Sequence, residues 1–140
     1  MFEMWISYGE GFILLFDIND KESFDILESK YNRILKGKHG IEVPIVLVGN
    51  RKDLEGERKV SFNEAENLAF SWRIEYIETN TKNNLNCKES FEILSKEILL
   101  FRKGKIKEYK KMIKKKGIKI NKNINEYNLN KTALFKFINY

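Results

Sequence analysis

Apolar residues fall into two rhythms along this chain, and the alternation between them predicts its elements. Residues 12–18, 43–48 and 74–79 form short runs rich in apolar and β-branched side chains. The middle run, Val43-Pro44-Ile45-Val46-Leu47-Val48, is apolar throughout, as expected of a strand buried on both faces of a parallel sheet. Between the first two runs, Phe24, Leu27, Tyr31, Ile34 and Leu35 recur at helical spacing and predict an amphipathic helix over about 21–36. Asp20 can cap that helix, and Gly37 and Gly40 terminate it. Ser61-Phe62-Asn63-Glu64 has the form of a capping box. The helix it opens places Phe62, Ala65, Leu68, Ala69 and Trp72 on one face. A further helix starts near Lys88 with Phe91, Leu94, Ile98 and Phe101 as its buried stripe, and its pattern runs past Gly104 to about Lys115. The order strand, helix, strand implies right-handed parallel crossovers. The expected fold is therefore α/β, with a parallel sheet of about three strands (12–18, 43–49 and 74–79) flanked by helices.

In such sheets ligands bind beyond the carboxyl ends of the strands. The second run stops at Gly49, and Asn50 and Asp53 follow at once. An amide that donates and accepts, and a carboxylate that accepts twice, stand three residues apart on one turn. Both can face a single planar, hydrogen-bonding ligand.

These residues also carry a resemblance. Asn50-Arg51-Lys52-Asp53 resembles the Asn-Lys-x-Asp guanine-specificity motif of small GTPases. Gly9-Glu10-Gly11-Phe12 is similar to the Ras segment that follows switch II, and Glu78-Thr79-Asn80-Thr81-Lys82 resembles the Glu-Thr-Ser-Ala-Lys guanine loop. With three matches in order, each at a strand boundary, residues 1–103 resemble roughly the last two-thirds of a Ras-type domain of the P-loop NTPase superfamily. Residues 104–140 then form a basic helical extension and an Asn/Lys-rich tail.

The resemblance implies a three-layer Ras-like fold that binds GTP or GDP with Mg²⁺, hydrolyses GTP and signals through effectors, exchange factors and activating proteins. It assigns the Asp53 carboxylate to two guanine N–H groups that adenine cannot supply, a contact that rejects the wrong base because its polar groups would be left unpaired. It assigns Asn50 to the base edge, and the backbone N–H of Thr81 to the guanine carbonyl oxygen. Arg51 replaces the family's Lys, whose stem packs over the base, and an Arg can stack on a planar ring. Asn80 replaces the usual Ser, and Lys82 matches the family's Lys.

The pattern Gly-x-x-x-x-Gly-Lys-Ser/Thr, which would hold the phosphates and Mg²⁺, does not occur in these 140 residues. The switch I Thr and the Asp-x-x-Gly-Gln of switch II do not occur either. Asp53-Leu54-Glu55-Gly56 matches Asp-x-x-Gly in letters but follows the wrong strand. No catalytic residue and no Mg²⁺ ligand is assigned. The expectation is an incomplete chain of a Ras-like GTP-binding switch, inactive in hydrolysis by itself. Without the strand that leads into the phosphate loop, residues 12–18 should be an apolar sheet edge prone to association. A non-catalytic interaction module on the same scaffold is the alternative reading.

Charge adds a third possibility. Residues 1–101 hold 13 basic and 18 acidic residues, whereas residues 102–140 hold 13 basic and 2 acidic. The segment 102–122 could touch an anionic membrane or, as a less favoured partner, nucleic acid. Beyond Gly117 the chain lacks strong periodicity and reads as disorder or marginal helix. The single cysteine, Cys87, excludes an internal disulfide and suits a reducing compartment. His39, between two glycines, reads as a surface loop residue. No run reaches membrane-spanning length, so a cytoplasmic location is expected. The family would add the inner face of the plasma membrane, although the ending Phe137-Ile138-Asn139-Tyr140 offers no prenylation cysteine.

Overall fold

The computed structural model describes residues 2–51 and 56–115. The chain divides into two units between Ile98 and Leu99, and the first unit holds the whole sheet. In order, the elements are α1 (Phe2–Tyr8), β1 (Phe12–Asp17), α2 (Lys21–Asp25), α3 (Leu27–Gly37), β2 (Ile45–Asn50), α4 (Phe62–Trp72), β3 (Glu75–Glu78) and α5 (Cys87–Lys115). The three strands are parallel and lie in the order β1-β2-β3, with Phe12 opposite Ile45 and Val46 opposite Glu75. This is the α/β arrangement, a parallel three-stranded sheet flanked by helices, that the apolar runs predict.

Strand boundaries follow from backbone chemistry. Pro44 has no N–H to give to a ladder, so β2 starts one residue later, while the Pro44 carbonyl still accepts from Phe12 N at 2.9 Å. β3 is shorter than expected because the Ile74 N–H is used by α4, donating to Ala69 O at 3.0 Å. Thr79 N continues the ladder past β3 by donating to Gly49 O at 2.8 Å. The core lies on one face of the sheet, where Leu14, Phe16, Ile18, Ile45 and Leu47 meet Phe24, Leu27, Ile34, Val60, Ala65 and Ala69. Val46 and Val48, of opposite parity, are buried as well. β2 is therefore covered on both sides. β1 forms one edge of the sheet, and Leu15 on it is half exposed.

The single helix expected over 21–36 is present as two segments, α2 and α3, separated by Ile26. The hydrogen-bond ladder still crosses the interruption, from Ile26 N to Glu22 O and from Lys30 N to Ile26 O, both at 3.2 Å. Asp20 caps α2 as expected, its Oδ1 accepting from Glu22 N at 3.1 Å. At the other end, α1 closes with Gly9 N donating to Trp5 O, and Ile6 buries its side chain.

Ser61 caps α4, its hydroxyl accepting from Glu64 N at 3.1 Å. The return half of the capping box is not made, because the Glu64 carboxylate binds Lys21 Nζ instead. Ser61→Ala should lower stability by about 1 kcal/mol, seen as a lower midpoint in thermal melting, because one N-terminal amide of α4 loses its acceptor. An unchanged midpoint would show that the cap is replaced by water at no cost.

The buried stripe of α5 needs a correction. Phe91 is exposed, and Ser90 takes the buried place beside it. The small Ser90 can go under because its hydroxyl donates to Cys87 O at 2.7 Å. Leu94 and Ile98 do face inward, flanking Gly11 at the start of β1. Phe101 belongs to the second unit, where its ring lies 5.3 Å from Lys105 Nζ. The helix runs on to Lys115 as its periodicity predicts. The expected behaviour of residues 117–140 lies outside the described residues.

Candidate functional site

The carboxyl ends of β1, β2 and β3 lie side by side, because register pairs Asp17 with Asn50 and Gly49 with Glu78. Each end contributes a polar residue to one rim. Asn50 is half-buried, and its Oδ1 accepts from Thr79 Oγ1 at 3.2 Å, which ties the end of β2 to the residue after β3. Among the described residues the Asn50 side-chain amide makes no other bond, so its NH₂ group stays available as a donor. Arg51 turns sharply out of the strand at φ +69°, and its Nε pairs with Asp17 Oδ2 at 3.1 Å. The other Asp17 oxygen accepts from Asn19 N at 2.9 Å. Asp17 thus anchors Arg51, a role that only its place as the last residue of β1 could have suggested.

The loop after β3 is built by asparagines. Asn80 is buried, and its backbone pairs with that of Leu85 in both directions, at 3.1 and 3.0 Å. Its Oδ1 accepts from Lys82 N at 3.0 Å. Asn84 and Asn86 adopt left-handed backbone angles, φ +58° and +55°, which asparagine tolerates better than most residues. Asn86 then fastens the loop to the strand by donating Nδ2 to Glu78 O at 2.8 Å. Asn80 is therefore a loop-forming residue. Thr81 and Lys82 are exposed at the tip, and the Thr81 N–H makes no hydrogen bond among the described residues. Cys87 opens α5 and lies with its Sγ 3.7 Å from Asn80 O. Asp53 lies outside the described residues.

Beneath the rim is a network that the sequence did not announce. Glu78, at 5% exposure, takes a two-pronged ion pair from Arg58, with Nη1 to Oε1 at 2.7 Å and Nη2 to Oε2 at 2.9 Å. Tyr76 O–H donates to the same Oε1 at 2.8 Å. Burial, and secondarily the bond to Glu78, push the Tyr76 phenol far above its ordinary range, so it remains a donor. Its hydroxyl oxygen occupies the space above Gly49, where any Cβ would come within 2.7 Å of it. Only glycine fits there, one residue before Asn50.

The Ras family model matches residues 1–100. The chain belongs to the Ras family. Among curated Ras relatives it is similar to the Ras-like protein RAS2 of Hydra vulgaris, at 35% identity over 79% of this chain and 58% of that protein. It is also similar to the Ras-related protein R-Ras of Mus musculus, at 40% identity over 70% of this chain and 45% of that protein. The chain spans about half the length of these Ras relatives. Among the described residues no group of three or more His, Cys, Asp or Glu could hold a metal ion, and no helix is long and apolar enough to cross a membrane.

Proposed function

We propose that this chain carries the guanine-recognising part of a Ras-type GTP-binding protein. The observation that supports the proposal is the shared rim: the Asn50 amide ends β2, the Thr81 N–H, which makes no hydrogen bond among the described residues, lies in the loop after β3, and the Thr79–Asn50 hydrogen bond joins the two segments. A planar base offers an acceptor edge to donors of this kind. Asp53, three residues beyond Asn50, supplies the carboxylate that guanine's two adjacent N–H groups require, the feature that separates guanine from adenine. Arg51 is held by Asp17, which leaves its aliphatic stem as the part able to cover a ring. Lys82 is exposed at the rim.

GTP or GDP is the ligand this reading implies. The Mg²⁺ that accompanies it in Ras proteins receives no ligand assignment from the described residues. Hydrolysis depends on phosphate positioning and charge stabilisation, for which these 140 residues contain no phosphate-loop pattern. This reading expects the polypeptide by itself to recognise the base without measurable GTP hydrolysis, which a turnover assay on the pure chain checks. Effectors, exchange factors and activating proteins are the classes of partner that this reading implies.

Asp53→Ala should erase any preference for GDP over ADP while leaving the fold intact, measured by competitive titration with both nucleotides. Retained discrimination in the variant would show that the base is read elsewhere.

A further inference from the structure

The two edges of the sheet are guarded differently. β1 and β3 are its outer strands. Phe12 N donates to Pro44 O and Ile18 N to Asn50 O, so the even residues of β1 turn their backbone groups toward β2. Ile13 and Leu15 therefore turn both N–H and C=O outward, and among the described residues no strand lies beside them. At Asp17 the outward N–H is taken, donating to Ser23 Oγ at 3.0 Å. The stretch Phe12–Phe16 contains no charge and no proline, the usual guards of an edge. β3 has such guards. It is only four residues long, Glu75 on it is exposed, and its outward Glu78 carbonyl accepts from Asn86 Nδ2 at 2.8 Å.

We propose that β1 is a self-association edge, its occupant being β1 of a second copy of this chain, antiparallel across a two-fold axis at Leu14. In that register Ile13 stands opposite Leu15 of the second copy, and Leu15 opposite its Ile13. Opposed residues with outward groups exchange both N–H···O=C bonds in an antiparallel pair, so every open group at these positions finds a partner. Leu14, whose backbone groups face β2, falls at a non-hydrogen-bonded position, with its Cα about 4.5 Å from its counterpart. A register moved toward the carboxyl end meets the occupied N–H of Asp17 instead. The side chains agree with the backbone. Ile13 and Leu15 share one face of the sheet, so the exposed Leu15 of each copy meets the other's Ile13 as an apolar cross-strand neighbour. The two-fold closes on itself and joins two three-stranded sheets into one. Pairing of β1 with β3 of another copy would propagate without closing, and the guards on β3 oppose it.

The test uses the full chain without nucleotide. Sedimentation equilibrium from about 10 μM to about 1 mM, the range of weak association, should show monomer passing to dimer and no further. In a mixture of isotope-labelled and unlabelled chains, an intermolecular NMR contact should join the Leu14 Hα atoms of the two copies. Amide exchange at Ile13 and Leu15 should slow as the dimer forms. Leu15→Lys sets like charges on diagonal positions across the axis, and it should raise the dissociation constant by about tenfold or more. Because Leu15 is exposed in the single chain, the variant should melt as the unsubstituted chain does at high dilution. Mixed in equal parts with Leu15→Glu, it should associate again, since the facing charges are then opposite. A chain that stays monomeric throughout this range overturns the proposal. So does a Leu15→Lys variant that associates unchanged, an intermolecular contact at another surface, or growth beyond a dimer. Slow exchange at Ile13 and Leu15 at every concentration also overturns it, because the edge is then covered from within the chain.

Discussion

Leu47→Ala is expected to cost about 2–5 kcal/mol of folding stability, enough to unfold much of the population of a marginally stable small domain. Leu47 is fully buried at the centre of β2, the strand that pairs with both neighbours. Its side chain belongs to the cluster that includes Phe16, Leu27, Val60 and Ala65, so truncation leaves a cavity that strands on either side cannot collapse to fill. Leu15→Ala, one strand away, should change stability by only a few tenths of a kcal/mol, because that side chain is 53% exposed. Urea denaturation of the two variants against the unsubstituted chain checks the contrast. Equal losses would mean that the edge position is covered in solution.

The second large effect is electrostatic. Arg58→Met should destabilise the fold by about 3–5 kcal/mol, because it removes the guanidinium that makes a two-pronged pair with the buried Glu78 carboxylate. The reverse change, Glu78→Gln, should cost less, since a guanidinium at 15% exposure can recover some water whereas a carboxylate at 3% cannot. The double substitution of Arg58→Met with Glu78→Gln should recover part of the loss, giving a favourable coupling in a double-mutant cycle. Thermal melting of the four proteins checks this. Simple additivity would indicate that the pair contributes no net attraction.

The sheet was legible because its strands are continuous apolar runs bounded by Gly49, Pro44 and the Asn19–Asp20 pair, each of which states a backbone constraint in a single letter. Caps were legible for the same reason, Asp20 and Ser61 both accepting from amides two or three residues on. Phe91 was misplaced because helical periodicity cannot choose between adjacent residues that border the same stripe, and bulk favoured the phenylalanine over Ser90. The candidate residues Asn50 and 80–82 were named through local spelling, and the fold sets them at the ends of β2 and β3. The groups that hold those ends were not. Arg58 and Glu78 are 20 residues apart in sequence, and nothing in a charged loop or a strand marks one as the other's partner until the fold brings them together. Asn80 has a structural role that its letter does not state: its buried side chain accepts from Lys82 N and shapes the loop.

The central proposal is that Asn50, Asp53 and the loop 80–82 together read a guanine base. The most direct measurement is a titration of the chain with guanosine and, separately, adenosine, following the backbone amide of Thr81 and the side-chain amide of Asn50 by NMR. Base recognition predicts saturable shifts at these two groups with guanosine and none with adenosine. Equal responses to both nucleosides, or shifts confined to other parts of the chain, would contradict it.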